Sequence, residues 1–197
     1  MKKQTEINES MRAILVDWLI DVHAKFKLLP ETLYLTINLI DRFLTKTQGQ
    51  KSKLQLVGVA ALMIATKFEE IYPPTLKDLV YLTDRSYNER EIISMEYQML
   101  TALDFDLQLT SPYRFLERYS KLSKLDSVEL NLTNYILELS LLDSKMNQFV
   151  PSLLAASAIA TALTYQRPEV DWEKIEEATG FTQEQIKGCM KCQKILI

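Results

Sequence analysis

Apolar residues recur at Met11, Ile14, Leu15, Trp18, Leu19, Val22 and Phe26, three and four positions apart, the spacing of one helix face. Val16 and Ile20 widen that face, and Asp17, Asp21 and Lys25 keep a polar line. So wide a stripe packs on more than one neighbour or leaves part of itself for a partner. Asn8 or Ser10 is the candidate N-cap. Pro30-Glu31-Thr32 opens a second helix with Leu33, Ile37, Ile40 and Leu44 inward, fading into a polar loop over 45–52. A third helix, about 53–68, is apolar nearly all round, which marks a central helix surrounded by others; its small residues allow close approach. Tyr72-Pro73-Pro74 ends it. A short helix over 76–82 and a longer one over about 88–103, with Ile92, Met95, Met99, Leu100 and Leu103 inward, complete five helices in a normal domain length.

The second half repeats this plan. Ser111-Pro112 opens a helix to about 122, and others cover about 128–142, 151–165, 172–179 and 182–195. Ala60-Ala61-Leu62-Met63-Ile64-Ala65-Thr66 matches Ala155-Ala156-Ser157-Ala158-Ile159-Ala160-Thr161 at five of seven positions. The same order of elements on both sides points to a structural duplication. The expected architecture is all-α, two tandem five-helix domains over 1–108 and 109–197.

Composition narrows the function. The 197 residues carry 23 Lys+Arg against 26 Asp+Glu, a net charge of −3 with no dense basic run, a poor match to nucleic acid or an anionic membrane. Four glycines and six prolines leave no Gly-rich phosphate cradle. The start, from Met1 to Glu6, lacks the apolar core of a signal peptide, and the longest apolar stretch, near 57–65, is half what a bilayer needs. Two cysteines are too few for a disulfide framework, so a soluble protein of a reducing compartment is expected.

The chemistry of an enzyme is missing. His23 is the sole histidine and has no nearby nucleophile pattern. Cys189-Met190-Lys191-Cys192 has CxxC spacing but lacks a second ligand pair for zinc, and it lies deep in a helical pattern, where two such cysteines are small core residues. Glu69-Glu70 and Asp104/Asp106 point apart and form no catalytic dyad. A binding module without metal or cofactor is expected.

The motifs Met11-Arg12-Ala13-Ile14-Leu15-Val16-Asp17-Trp18-Leu19, Pro30-Glu31-Thr32-Leu33-Tyr34-Leu35 and Leu39-Ile40-Asp41-Arg42-Phe43-Leu44 stand in order along the first half. Leu54-Gln55-Leu56-Val57-Gly58-Val59, Ala65-Thr66-Lys67-Phe68-Glu69-Glu70-Ile71-Tyr72-Pro73-Pro74 and Met95-Glu96 follow. Together they resemble the cyclin family, in the wording of its A/B-type mitotic members and more B-like, strongly over 8–108 and more loosely beyond. The resemblance implies two cyclin boxes and a regulatory subunit that activates a cyclin-dependent kinase in G2/M control, in nucleus and cytoplasm. It implies kinase contact through Lys67 and Glu96, which hold each other, with Glu70, Ile64, Phe105 and Leu107 lining the surface. Without it, Lys67 reads as a cation at a helix C-terminus, Glu96 as a solvated face, and Ile64 and Phe105 as core.

It also implies a patch for Arg-x-Leu segments of substrates and inhibitors, mapped to Met11, Ile14, Leu15, Trp18, Leu54, Gln55 and Leu82, with Asp21 and Asp84 attracting the arginine. Asp21 departs from the more usual Glu and reaches less far. Arg12 and Asp41, inside otherwise apolar helices, are expected to form a structural ion pair. The second repeat, lacking the Lys/Glu motif, is expected to support rather than contact the kinase. The degradation segment and leading helix of mitotic cyclins are expected to be truncated or absent, and Arg12-Ala13-Ile14-Leu15 is weak evidence for an RxxL degradation signal. The rival reading, a cyclin-fold transcription adaptor, would need a basic surface.

Overall fold

The computed structural model describes residues 4–197; the first three residues of the polar start lie outside the described part. The described residues form ten α-helices and two short 3-10 segments and contain no strand. The chain divides into two units, the first ending at Leu109 and the second beginning at Thr110.

The first unit holds α1 (Glu9–Phe26), α2 (Pro30–Lys46), α3 (Leu54–Glu69), α4 (Leu76–Leu82) and α5 (Glu89–Ala102). Asn8 caps α1 by accepting from the Met11 N–H at 2.9 Å, so Asn8 and not Ser10 is the cap. Lys27, left-handed at φ 54°, ends the helix by returning its N–H to the last turn. Every residue of α3 from Leu56 to Thr66 is buried, as is Leu54. That helix packs against α2 and α5, with α1 crossing it where Gly58 faces Leu15: a Cβ at Gly58 would stand 2.8 Å from Leu15 Cδ1. α2 is more enclosed than its four-residue stripe suggests, with ten buried residues. Its buried Thr36 donates to the Thr32 carbonyl at 2.7 Å, so that hydroxyl enters the core without an unmet hydrogen bond.

The Arg12 guanidinium, 1% exposed, holds Asp41 in two parallel contacts, Nε to Oδ1 at 2.6 Å and Nη2 to Oδ2 at 2.7 Å, locking α1 to α2. The polar loop after α2 contains a 3-10 turn, Lys51–Lys53, that the apolar pattern does not reveal. Gly49 is buried here against Ile7 and Leu44, and Gln4 bridges its N–H (2.8 Å) to the Thr47 carbonyl (2.6 Å).

The second unit holds α6 (Pro112–Ser123), α7 (Ser127–Leu142), α8 (Pro151–Gln166), α9 (Trp172–Thr179) and α10 (Gln183–Leu196). α8, buried without a break from Leu154 to Leu163, packs against α6, α7 and α10 and takes the central place that α3 holds in the first unit. The matching Ala-rich stretches therefore lie in equivalent central helices. A second 3-10 segment, Ser144–Gln148, buries Met146 in a stretch that carries no periodic signal.

The units share one further device. Glu70, the C-cap of α3, accepts from the N-terminus of α2: Leu29 N–H at 2.7 Å and Thr32 Oγ1 at 2.6 Å. Arg167, the C-cap of α8, grips Glu129 in the first turn of α7 by Nε to Oε1 at 2.5 Å and Nη2 to Oε2 at 2.8 Å. Thr32 and Glu129 each stand third in their helix. The same strut is thus built twice with different chemistry.

Candidate functional site

Both candidate surfaces lie in the first unit. One is the edge where α3 ends. Lys67 on its last turn donates to Glu96 on α5 at 2.7 Å, with side chains 55% and 15% exposed. Beyond the pair, Phe68 is 54% exposed, Ile71 86% and Tyr72 91%. Large apolar side chains in water so close in sequence mark a surface awaiting a partner. The sequence reading omitted these three; their signal was an apolar and aromatic run past a helix end, next to Pro73-Pro74.

Glu70 holds them in place rather than facing outward freely, because its Oε1 is engaged by Leu29 and Thr32. Half-buried, the carboxylate fixes the turn from which Ile71 and Tyr72 project. Ile64 needs correction. At 3% exposure it is core, because α3 has neighbours on both sides there.

Phe105, expected on this surface, is 64% exposed and stands in the left-handed region at φ 56°, next to Asp104 at φ 54°. Two consecutive non-glycine residues there cost about 1–2 kcal/mol each and persist only where the surroundings enforce them. The enforcement is visible: Lys46 pairs with Asp104 at 3.1 Å and Arg42 with Asp106 at 2.8 Å, both from α2. The two carboxylates that make no catalytic dyad are staples on either side of an exposed phenylalanine. Leu107 is half-buried beyond them.

The second surface is a cavity of about 400 Å³ lined by Met11, Ile14, Leu15, Trp18, Lys51, Leu54 and Gln55. Ile14 stands 68% exposed at its lip, while Leu15 and Leu54 are buried in its floor. The width of the α1 stripe is therefore divided between core and groove. Of the expected lining only Leu82 is absent, and Lys51 joins it; Asp21 and Asp84, expected to attract the arginine rather than to line the groove, stand outside the lining. Leu82 closes the short α4, and Asp84 sits beyond it in a left-handed turn at φ 50°.

His23 has Nε2 3.1 Å from the Leu29 carbonyl. Cys189 is buried, and burial pushes its thiol up to about 11, so the reactive thiolate is disfavoured. Among the described residues no three His, Cys, Asp or Glu side chains group to hold a metal, and no helix is long and apolar enough to cross a membrane.

Two all-helical units, each built on a buried central helix, with an apolar edge and a groove on the first, define a tandem-repeat docking scaffold. Family models agree on its lineage: "Cyclin, N-terminal domain" matches residues 1–108 and "Cyclin, C-terminal domain" residues 110–196, and the chain belongs to the cyclin family. It is 47% identical over 192 residues to Cyclin-B1-3 of Arabidopsis thaliana, covering 97% of this chain and 46% of that protein. It is 44% identical over 189 residues to the G2/mitotic-specific cyclin S13-7 of Glycine max, covering 95% of this chain and 74% of that one. The chain thus spans less than half the length of Cyclin-B1-3. A viral cyclin from herpesvirus saimiri has the same fold, with TM-score 0.87 at 22% identity over 99% of this chain and 87% of that one. A chain of the yeast RNA Pol II CTD kinase CTDK-1 complex follows at TM-score 0.74 and 14% identity, covering 92% and 63%. Cyclins are regulatory subunits of kinases, not catalysts.

Proposed function

We propose that this chain binds and activates a cyclin-dependent protein kinase in G2/M control, and recruits Arg-x-Leu-bearing substrates through the α1 groove. The observation that carries the kinase reading is the edge at the end of α3: Phe68, Ile71 and Tyr72 exposed beside the Lys67–Glu96 pair. A rigid helix end of this kind suits the mobile helix of a kinase. The kinase samples active and inactive positions of that helix, and a partner that fits only the active one shifts the population toward it. The shift completes the kinase's own Lys–Glu ion pair.

For substrates, the Met11, Leu15, Trp18 and Leu54 floor supplies an apolar seat for a leucine, and the Gln55 amide suits an extended backbone. Asp21 on α1 and Asp84 in the turn after α4 supply the negative charge for the arginine in this reading. Activity in nucleus and cytoplasm, away from nucleic acid and membrane, belongs to the same reading.

The test mixes purified chain with a cell-cycle kinase and follows phosphorylation of a mitotic substrate. Stimulation of at least tenfold is expected; a folded sample that stimulates no such kinase sinks the proposal. Lys67→Ala or Glu96→Ala is expected to weaken kinase association roughly tenfold, the scale of one charge-assisted contact. Trp18→Ala is expected to spare activation and lower affinity for an Arg-x-Leu peptide.

A further inference from the structure

The 3-10 turn Lys51–Lys53 has a cavity on each side. One is the α1 groove, lined from this stretch by Lys51, Leu54 and Gln55. The other, of about 470 Å³, has Phe43, Val57 and Met95 among its lining, with Gln50, Lys53 and Gln98 as polar members. The two cavities share no lining residue, yet they draw alternately on positions 50–57. A single turn separates them. Three 3-10 residues rise about 6 Å, a length that an extended chain at about 3.3 Å per residue covers in roughly two residues.

The ridge has a charge. Lys51 and Lys53 are both exposed, and neither ammonium has a carboxylate partner among the described residues. Two exposed cations thus lie between the two cavities, beside the Glu6 carboxylate, which accepts from the Lys51 backbone N–H at 3.1 Å. The second cavity also lies away from the kinase edge: Glu96 and Gln98, two positions apart on α5, point about 200° apart around the helix axis.

We infer that the two cavities form one bipartite docking surface for an extended, acidic protein segment. A leucine seats in the α1 groove, one or more carboxylates cross Lys51 and Lys53, and a second apolar side chain seats over Phe43, Val57 and Met95. The side-chain amides of Gln50 and Gln98 pair with the segment's backbone. The inference rests on the reading of the α1 groove as a leucine-docking site.

Fluorescence anisotropy with the full chain tests it. The probes are a core Arg-x-Leu peptide and two extended ones, each adding a three-residue Asp/Glu spacer and a terminal Leu, on one side of the core or the other. One extended peptide is expected to bind about tenfold more tightly than the core. Replacing its spacer acids by Lys, or introducing Lys53→Glu into the protein, is expected to abolish that gain and leave core binding unchanged. If the core peptide binds and neither extension gains, the bipartite surface is overturned while the groove stands. A gain that survives Lys53→Glu and the Lys spacer overturns it equally. If the core peptide does not bind, the groove reading itself fails and this inference falls with it.

Discussion

Phe105 is placed unlike a core hydrophobe. It is 64% exposed, left-handed at φ 56°, and flanked by Asp104 and Asp106, each tied to α2 by an ion pair. The side chain is held there at a conformational cost of about 1–2 kcal/mol, and the proposed kinase surface gives it a use outside the fold. Phe105→Gly separates the two roles. Glycine relieves the left-handed strain and loosens the unfolded chain, effects of similar size and opposite sign. The melting temperature is therefore expected to move by only a few degrees, while kinase affinity falls about tenfold or more. Unchanged affinity by calorimetric titration would remove Phe105 from the partner surface. The sequence indicated Phe105 only through family resemblance, since an apolar residue just past a helix reads as core. Ile64, beside the Ala65-Thr66-Lys67 run, is core at 3% exposure, as its all-round apolar helix predicts; only the resemblance puts it on the surface.

At the scale of elements, the helices were readable because hydrophobic period and punctuation agree. Pro30, Pro112 and Pro151 each begin a helix, and α4 and α9 span the residues expected from pattern alone. The 3-10 segments and the full enclosure of α2 were not readable, since one turn is too short to show a period and a self-satisfied threonine looks polar on paper. The struts between elements were equally hidden. Glu129 is 4% exposed, and the hydrogen bond from Arg167 holds its carboxyl below the ordinary carboxylate range against the opposing effect of burial. A carboxylate with a lowered folded-state pKa stabilises above its unfolded value, about 4.3, and loses that contribution as the pH falls through the folded value. Arg167→Ala is therefore expected to destabilise by about 2 kcal/mol at pH 7, less than a fully buried pair because Arg167 is 36% exposed. The gap between variant and parent is expected to narrow toward pH 3. Thermal unfolding followed across pH checks this; a gap independent of pH contradicts the assignment.

For the whole molecule, each unit has its own central helix and its own core. The slowest amide exchange is expected in two separate places, 59–66 on α3 and 155–163 on α8, since these backbones are buried on every side. Hydrogen-exchange mass spectrometry checks it, and protection confined to one of the two would contradict the equivalence of the repeats. The sequence by itself determined the helical class, the duplication, the order of the helices and the family, because each is written in local period, breakers and contiguous motifs. Tertiary structure alone decided which apolar residues reach water. It turned Ile71, Tyr72 and Phe105 outward, placed Lys51 in the groove and left Leu82 out of its lining. The physical reason is that burial depends on what packs against a side chain from distant parts of the chain, whereas a helix needs only its own neighbours.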